Sequence, residues 1–562
     1  MRVTIAGCCL IITAAVVTLF LPPPTGAAVV PEHQAITSWQ GAATCLQCHE
    51  NEAKQVFDSV HYQWLGEATE MVNGPDIQGK LDMGVNSYCI NTTGNWNGCG
   101  ACHVGYGARP EVQQSQAQLE NIDCLICHQQ EYKRVKVDGV FVPDTAQMTI
   151  SMVAAAQTVH LPTRETCLQC HAKGGGGDNY KRGDMALSHS NTTDRDFDVH
   201  MAVTGGDLSC QSCHVTQEHR MAGRGSDLRT TDLNVEMSCA TCHTDKDTPT
   251  GHEDQAIGRH VARVSCQTCH IPAYARNASD TVASDMTEVH RDWREPHPTT
   301  PSGPPIHPTV TMAGDLNPRY AWWNGTSSSY LLHDTVTVDP DTGMIPTSRP
   351  VGRINEAGAK LYPFKYKTAT QPVATGRNQL IALDTSVYFA TGDADAATRA
   401  GLVNMGYQPE EPYSWAHSDT MQLLSHEIAP SADALSCNAC HENTGTMDLK
   451  GELGYQLKAP VEEVCLQCHG QKGDGYRTDL LWVHDKHVRS KRYDCSWCHD
   501  FSRPERGLKL APIIAQLSDV VSTLKILAGQ TLSSPPTIQD ANGDGRIGLA
   551  EVIATLRDAA GL

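Results

Sequence analysis

The sequence predicts a mainly α-helical chain with much irregular structure and little sheet, folded around a core that side chains alone do not fill. Three observations lead there. The five-residue word Cys-x-x-Cys-His occurs ten times. The chain holds 7 Phe, 9 Trp and 16 Tyr among 562 residues, against 46 Gly and 30 Pro, a poor stock for a large side-chain core. The words follow no fixed period: first cysteines lie as little as 25 and as much as 171 residues apart, which excludes a solenoid of equal repeats.

In chain order, and numbered one to ten below, the words are Cys45–Cys48–His49, Cys99–Cys102–His103, Cys124–Cys127–His128, Cys167–Cys170–His171 and Cys210–Cys213–His214, then Cys239–Cys242–His243, Cys266–Cys269–His270, Cys437–Cys440–His441, Cys465–Cys468–His469 and Cys495–Cys498–His499. Two thiols at this spacing reach the two vinyl groups of one porphyrin as thioethers. The His that follows is then pinned beneath the iron as an axial ligand. Zinc or disulfide sites are the alternative, but zinc ribbons have no reason to add His after every pair. Ten covalently bound haem c groups are therefore expected. Each flat apolar macrocycle supplies core that the aromatic residues do not, so the chain reads as a multihaem cytochrome c with a haem-packed core.

Formal charge is −20, and haem propionates add to it. That argues against nucleic acid, which wants a basic face, and permits docking of a basic redox partner. Residues 1–27 read as a secretory signal peptide: Arg2, an apolar run from Val3 to Leu21, and small residues at Ala27 and Ala28. An uncleaved anchor is the alternative. The expected location is periplasmic or extracellular, where c-type haem is attached.

Seven words crowd residues 45–270, a haem-free stretch covers 271–436, and three words follow in 437–499. Lys133–Val142 alternates apolar and polar residues around Asp138–Gly139, a hairpin signal. Gly174–Gly177 reads as a loop. The Pro-rich stretch 291–317 also reads as loop and carries His297 and His307, and 385–403 reads as more helical.

After Pro504 the character changes. Leu510–Ala528 reads as an amphipathic helix and Ser533–Pro536 as a turn, followed by DANGDGRIGLAE at 540–551. This matches a calcium loop: Asp540, Asn542 and Asp544 supply side-chain oxygens, Gly545 the sharp turn and Arg546 a backbone carbonyl. Gly548 acts through water, and Glu551 closes the site with both oxygens. A plain Asp/Gly-rich surface loop is the alternative. A single loop of this kind resembles a dockerin or half of a paired EF-hand domain, a small helical calcium-binding module that offers a stability clip or a docking tag for a partner.

Sixteen His lie outside the words, enough to give every haem a second imidazole. The candidates are His61, His200, His219, His252, His260 and His426, with His484 and His487 behind them; a solvated or hydrogen-bonding His is the alternative for each. Haems closed by two imidazoles carry electrons only, so catalysis requires one with an open or exchangeable position.

The text between the words resembles the octahaem cytochromes of the tetrathionate reductase family, related to hydroxylamine oxidoreductase. The segments that carry the resemblance are NSYCINTTGNWNGCGACHVGYG (86–107), IDCLICHQQEYKR (122–134), CLQCHAKGGGGDNYKRGD (167–184), RHVARVSCQTCHIP (259–272), WWNG (322–325), KLYPFK (360–365) and LSCNACHE (435–442). It spans roughly residues 38–450 and implies an octahaem catalytic core over 28–450; the chain departs from the family in its tail, with a two-haem extension over 451–505 and the calcium module over 506–562. The resemblance also implies a mainly helical fold with haems packed in pairs, and reduction of small nitrogen or sulfur species. By that resemblance the catalytic haem is the second, on His103, with its iron ligated by the amine of Lys181. Cys89 then lies beside it, and Asp184 is a candidate for orienting Lys181. An exposed Lys181 and a small buried Cys89 are the alternatives. Cys89 is the one cysteine after the leader that lies outside a word, and a leftover thiol in an exported protein suggests reactivity.

The leading reading is an exported reductase of nitrite, hydroxylamine or tetrathionate, fed by a redox protein or a quinol-linked donor. The alternatives are a conduit with every haem closed and an enzyme that oxidises hydroxylamine or hydrazine. The resemblance assigns the latter a cross-linked tyrosine, for which this chain shows no equivalent.

Overall fold

The structure is a computed structural model. It describes residues 29–441 except 86–90, 139, 226–231, 246–247, 250–251, 253–257, 259, 282–285, 301–302, 341, 355 and 357. Beyond these it describes chiefly 460–469, 480–491 and 497–500, with isolated positions as far as 556. The expected leader, Cys89, Cys495 and the calcium loop at 540–551 lie outside the described residues.

Haem words close single turns of helix. The His N–H donates to the carbonyl of the first cysteine at 2.9 Å for His49, 3.0 Å for His103, 3.2 Å for His128, 2.8 Å for His214 and 2.9 Å for His243. Residues three and four apart share a helix face, so one such turn presents two sulfurs and an imidazole together. Local caps start these turns. Ser265 Oγ accepts from the Thr268 N–H ahead of Cys266–His270, and Thr163 forms a capping box with Thr166 at the start of Arg164–His171. The described helices are short, the longest being Ala394–Asn404 at 11 residues. No described helix is long and apolar enough to cross a membrane.

The mainly helical expectation is corrected by the haem-free stretch, which folds into an eight-stranded sheet. Its strands are β1 (Thr287–Thr300), β2 (Gly303–Ala313), β3 (Arg319–Trp323), β4 (Thr326–Ser329), β5 (Ile345–Val351), β6 (Lys360–Ala374), β7 (Gln379–Leu380) and β8 (Tyr413–Leu423). The order is β2-β1-β6-β8-β5-β4, with β3 and β7 also pairing along β6. β6 is the spine: it runs antiparallel to β8 from Phe364↔Leu423 to Ala374↔Tyr413 and parallel to β1 at Thr368↔His290.

The stretch 291–317, expected as loop, lies mostly in β1 and β2, and His297 pairs with His307 across them. The prolines that suggested loop are tolerated because Pro304, Pro305 and Pro308 lie on the edge strand β2, while Pro296 and Pro298 lie in β1 beyond Asp292, where its pairing with β6 ends. Their pairing shifts register between Gly303 and Ile306 and between Pro308 and Thr309. The hairpin expected at 133–142 is present as Arg134–Val137 against Val140–Pro143, and the helical signal at 385–403 as the helices Thr385–Thr391 and Ala394–Asn404.

The scarce aromatics gather where no haem word lies. Trp293 packs on Tyr388, Trp323 on Tyr362 and Phe364, and Tyr320 and Trp322 join Leu361 and Ile354. Among the haem words the described clusters are small: Phe57, Tyr62, Leu119, Ile122 and Ile126 pack against Cys124, Cys127 and Cys170.

Behind the glycine loop the sheet buries charge. Glu288 on β1 is fully buried and holds Arg291 through two bonds, at 3.0 and 2.5 Å, with Lys367 of β6 at 3.7 Å. Burial alone would raise the Glu288 carboxyl, but Arg291 and Lys367 outweigh it and hold the group below its usual 4.5. Such a carboxyl stabilises the fold above pH 4.5, and that contribution fades as pH falls below it. Glu288→Gln leaves buried cations around a neutral amide. It is expected to cost about 3–5 kcal/mol at neutral pH and to flatten the acid limb of a stability–pH profile. Denaturant unfolding across pH measures both, and identical profiles for the two proteins would contradict the account.

Candidate haem sites and the Lys181 loop

Nine of the ten haem-word imidazoles face a second imidazole. Ring centroids lie 5.9 Å apart for His49 and His33, 6.4 Å for His128 and His219, 6.1 Å for His171 and His61, and 6.2 Å for His214 and His426. They lie 6.0 Å apart for His243 and His200, 6.4 Å for His270 and His252, 6.1 Å for His441 and His260, 5.7 Å for His469 and His487, and 6.3 Å for His499 and His484. An iron bound to two imidazole nitrogens at about 2 Å each places the centroids roughly 6 Å apart. The gaps therefore fit an iron.

The outer nitrogens are arranged to suit. Nδ1 donates to a backbone carbonyl at His33 (Ala156, 3.0 Å), His128 (His160, 2.9 Å), His214 (Ala222, 2.9 Å) and His487 (Val483, 2.9 Å), which turns Nε2 toward the gap. Acceptors of this kind fix the tautomer of a metal-binding imidazole. By contrast, no group of three or more His, Cys, Asp or Glu among the described residues could cage a metal ion, so a paired-cysteine zinc centre has no built site there.

All six leading candidates from the sequence, and also His484 and His487, thus stand opposite a haem-word imidazole. Sequence reasoning missed His33, which sits in the turn Pro31–Ala35 just past the expected leader. Its fixing bond to Ala156 spans 123 residues, a contact with no local signature.

The sulfurs show which sites adjoin. Cys45 lies against Cys124, Cys102 against Cys170, Cys167 against Cys210 and Cys239 against Cys266. Longer-range electrostatic contacts link Cys127 to Cys170, Cys213 to Cys242 and Cys269 to Cys437. Sites 1, 3, 4, 5, 6, 7 and 8 form one continuous series, and site 2 branches from site 4.

Site 2 is the exception to the imidazole pairs. His103 is fully buried and faces aromatic rings: Tyr62 at 5.0 Å, Trp64 at 5.3 Å and Trp96 at 5.1 Å. Its Nε2–H donates to the Tyr62 carbonyl at 2.8 Å, while Nδ1 is buried without a partner. Burial pushes its pKa down to about 4, so the imidazole is neutral, as a metal ligand must be. Cations ring the site. Lys80, Arg109 and Lys181 act on Cys99, and Lys80, Arg134 and Lys181 on Cys102. Lys80 also sits over Trp64 and Arg109 over Trp96. In a chain of charge −20 this is a local positive patch.

Lys181 is partly buried, and its side chain lies along the glycine run, 3.4 Å from where a Gly174 Cβ would stand. The loop is tied to the sheet from below. Lys365 of β6, fully buried, donates from Nζ to the carbonyls of Tyr180 at 2.9 Å and Lys181 at 3.0 Å. Arg291 donates to the Gly175 carbonyl at 2.6 Å. The carboxylate of Asp184, the candidate for orienting Lys181, accepts from Arg182, Ser425 and His426. Trp64 adopts a left-handed backbone at φ 51°, rare for a bulky residue and the kind of strain found at functional sites. Gly79 permits it, since a Cβ there would stand 1.8 Å from the Trp64 carbonyl oxygen. Gly79→Ala is expected to destabilise by about 1–3 kcal/mol and to displace Trp64 from His103. Tryptophan fluorescence alongside thermal unfolding measures both, and an unchanged midpoint and spectrum would contradict the packing.

Three family models match parts of the chain: cytochrome c554 and c-prime over residues 44–129, bacterial cytochrome c over 306–444, and the doubled CXXCH motif over 429–474. An uncharacterized protein of Archaeoglobus fulgidus is 31% identical over a region covering 35% of this chain and 80% of that protein. The crystal structure of an octaheme cytochrome c from Shewanella oneidensis matches with a TM-score of 0.62 and 26% identity, covering 75% of this chain and 96% of that one.

Proposed function

The chain belongs to the multihaem c-type cytochromes, which hold haem covalently through Cys-x-x-Cys-His, and from that premise we propose that it is an exported decahaem reductase of small nitrogen or sulfur oxy-compounds acting at site 2. The observation that carries the reading is the asymmetry among the ten words. Nine pair with an imidazole across about 6 Å, whereas His103 faces aromatic rings and a patch of cations.

Haem held at site 2 by Cys99, Cys102 and His103 would supply redox-active iron. The residues around it do the rest. Lys80, Arg109, Arg134 and Lys181 draw an anion such as nitrite or tetrathionate into a region of the acidic molecule that favours it. Tyr62, Trp64 and Trp96 exclude bulk water, which strengthens every charge interaction inside. The Lys181 amine would bind iron only when neutral, and the Lys365 and Arg291 anchors hold its loop. The bis-imidazole pairs are built to carry electrons along the series of adjoining sulfurs, reaching site 2 through site 4. Under this reading a redox protein or a quinol-linked donor feeds the far end, and calcium held by Asp540, Asn542, Asp544, Arg546 and Glu551 clips a C-terminal module or docks it to a partner.

The nine imidazole pairs also suit a closed conduit, and ligand binding separates the two readings. Nitrite, hydroxylamine or cyanide is expected to perturb the spectrum of one haem in ten. Steady-state assays of nitrite, hydroxylamine and tetrathionate with an artificial donor are expected to show turnover that Lys181→Ala lowers by on the order of 10²-fold or more at unchanged haem content. Ten unreactive low-spin centres and no turnover would leave the conduit. For the calcium loop, chelation is expected to lower the thermal midpoint of the C-terminal module, and a midpoint indifferent to chelator and to added calcium would remove the metal from this proposal.

A further inference from the structure

The bis-imidazole pairs differ in what holds their outer nitrogens, and among the contacts described for them one involves a buried carboxylate. At His33, His128, His214 and His487 the acceptor is a neutral backbone carbonyl, and at His219 it is the neutral Gln55 amide oxygen at 2.9 Å. His49 has Glu52 at 3.7 Å, beyond hydrogen-bond reach and half exposed, where water screens it. Asp232 acts on His61 electrostatically, but its oxygens accept from the Val60 and Met221 N–H groups. At His426, opposite His214 in site 5, Nδ1 faces Oδ2 of Asp184 at 3.2 Å, and that carboxylate is fully buried.

The surroundings keep Asp184 charged and aimed. Arg182 grips both its oxygens at 3.0 Å, and the backbone N–H groups of Ser425 and His426 donate to Oδ2 at 2.7 and 3.2 Å. The carboxylate thus orients the ligand through its ring and its backbone at once. An imidazole whose N–H is pulled by a carboxylate is a stronger donor to iron, and a nearby negative charge favours the ferric over the ferrous state. Arg182 offsets part of the field, while the hydrogen bond itself remains.

We propose that Asp184 is a positioning residue that lowers the potential of the haem of Cys210 and Cys213, on the route that leads through site 4 to site 2. The sulfur contacts supply the path: Cys167 of site 4 lies against Cys210 of site 5, and Cys170 of site 4 against Cys102 of site 2. The same carboxylate ties Arg182, next to Lys181, to the facing histidine of that site, so the loop that carries Lys181 and the site 5 ligand share one anchor. The inference rests on the bis-imidazole reading of His214 and His426 given above and adds to it a residue that tunes that haem.

The test is a potentiometric titration, followed by electron paramagnetic resonance, of the full haem-loaded chain and two variants. Asp184→Asn is expected to move one component midpoint upward and leave the others in place. Gln55→Glu, which puts a carboxylate on His219 in site 3, is expected to move a different midpoint downward, and it decides the matter if Asp184→Asn does not fold. Midpoints unmoved in both variants, with the bis-imidazole signals intact, would overturn the inference while leaving the reductase reading standing. Loss of the bis-imidazole signal of site 5 from the parent protein would overturn the ligation reading and this inference with it.

Discussion

The architecture depends on pairs of imidazoles held about 6 Å apart by a polypeptide that never lets them meet. Here many are pinned from outside, the haem-word rings by their own helical turns and the partners His33, His219, His426 and His487 by a hydrogen bond on Nδ1. The spacing only makes sense around a metal, and the covalent thioethers of the words ensure that the metal arrives with its macrocycle. That macrocycle then supplies the apolar bulk that the chain's few aromatic residues cannot, which is why Trp293, Trp323 and Phe364 are spent in the sheet.

Electrostatics divides the molecule a second time. The chain as a whole is strongly acidic, yet Lys80, Arg109, Arg134 and Lys181 converge on the cysteines of site 2. Their arrangement needs a rigid floor, and the sheet provides it: Lys365 and Arg291 bond to backbone carbonyls of the loop that carries Lys181, and Glu288 neutralises the cations beneath. The eight-stranded sheet is therefore the platform of the site rather than an inert insertion. It holds a cluster of cations in place within a chain whose net charge is −20.

The haem words and most facing histidines were legible in the sequence because covalent attachment demands a fixed five-residue pattern and a second imidazole nearby. The loop at Gly174–Gly177 was legible from its glycines, whereas Lys181 was singled out only through family resemblance. What sequence reasoning lost was long-range. The strands at 287–313 were hidden by prolines whose tolerance depends on edge position, which no local pattern reveals. His33 was hidden because its partner lies 123 residues away, and the role of Asp184 because its bond to His426 spans 242. In each case the local text was ambiguous and tertiary pairing decided it.

Iron-edge anomalous diffraction from crystals of the haem-loaded protein tests the central claim most directly. The account predicts iron peaks midway between each of the nine imidazole pairs and one further peak beside His103 with no imidazole opposite. Empty gaps between the pairs, or a histidine facing the iron of His103, would contradict it.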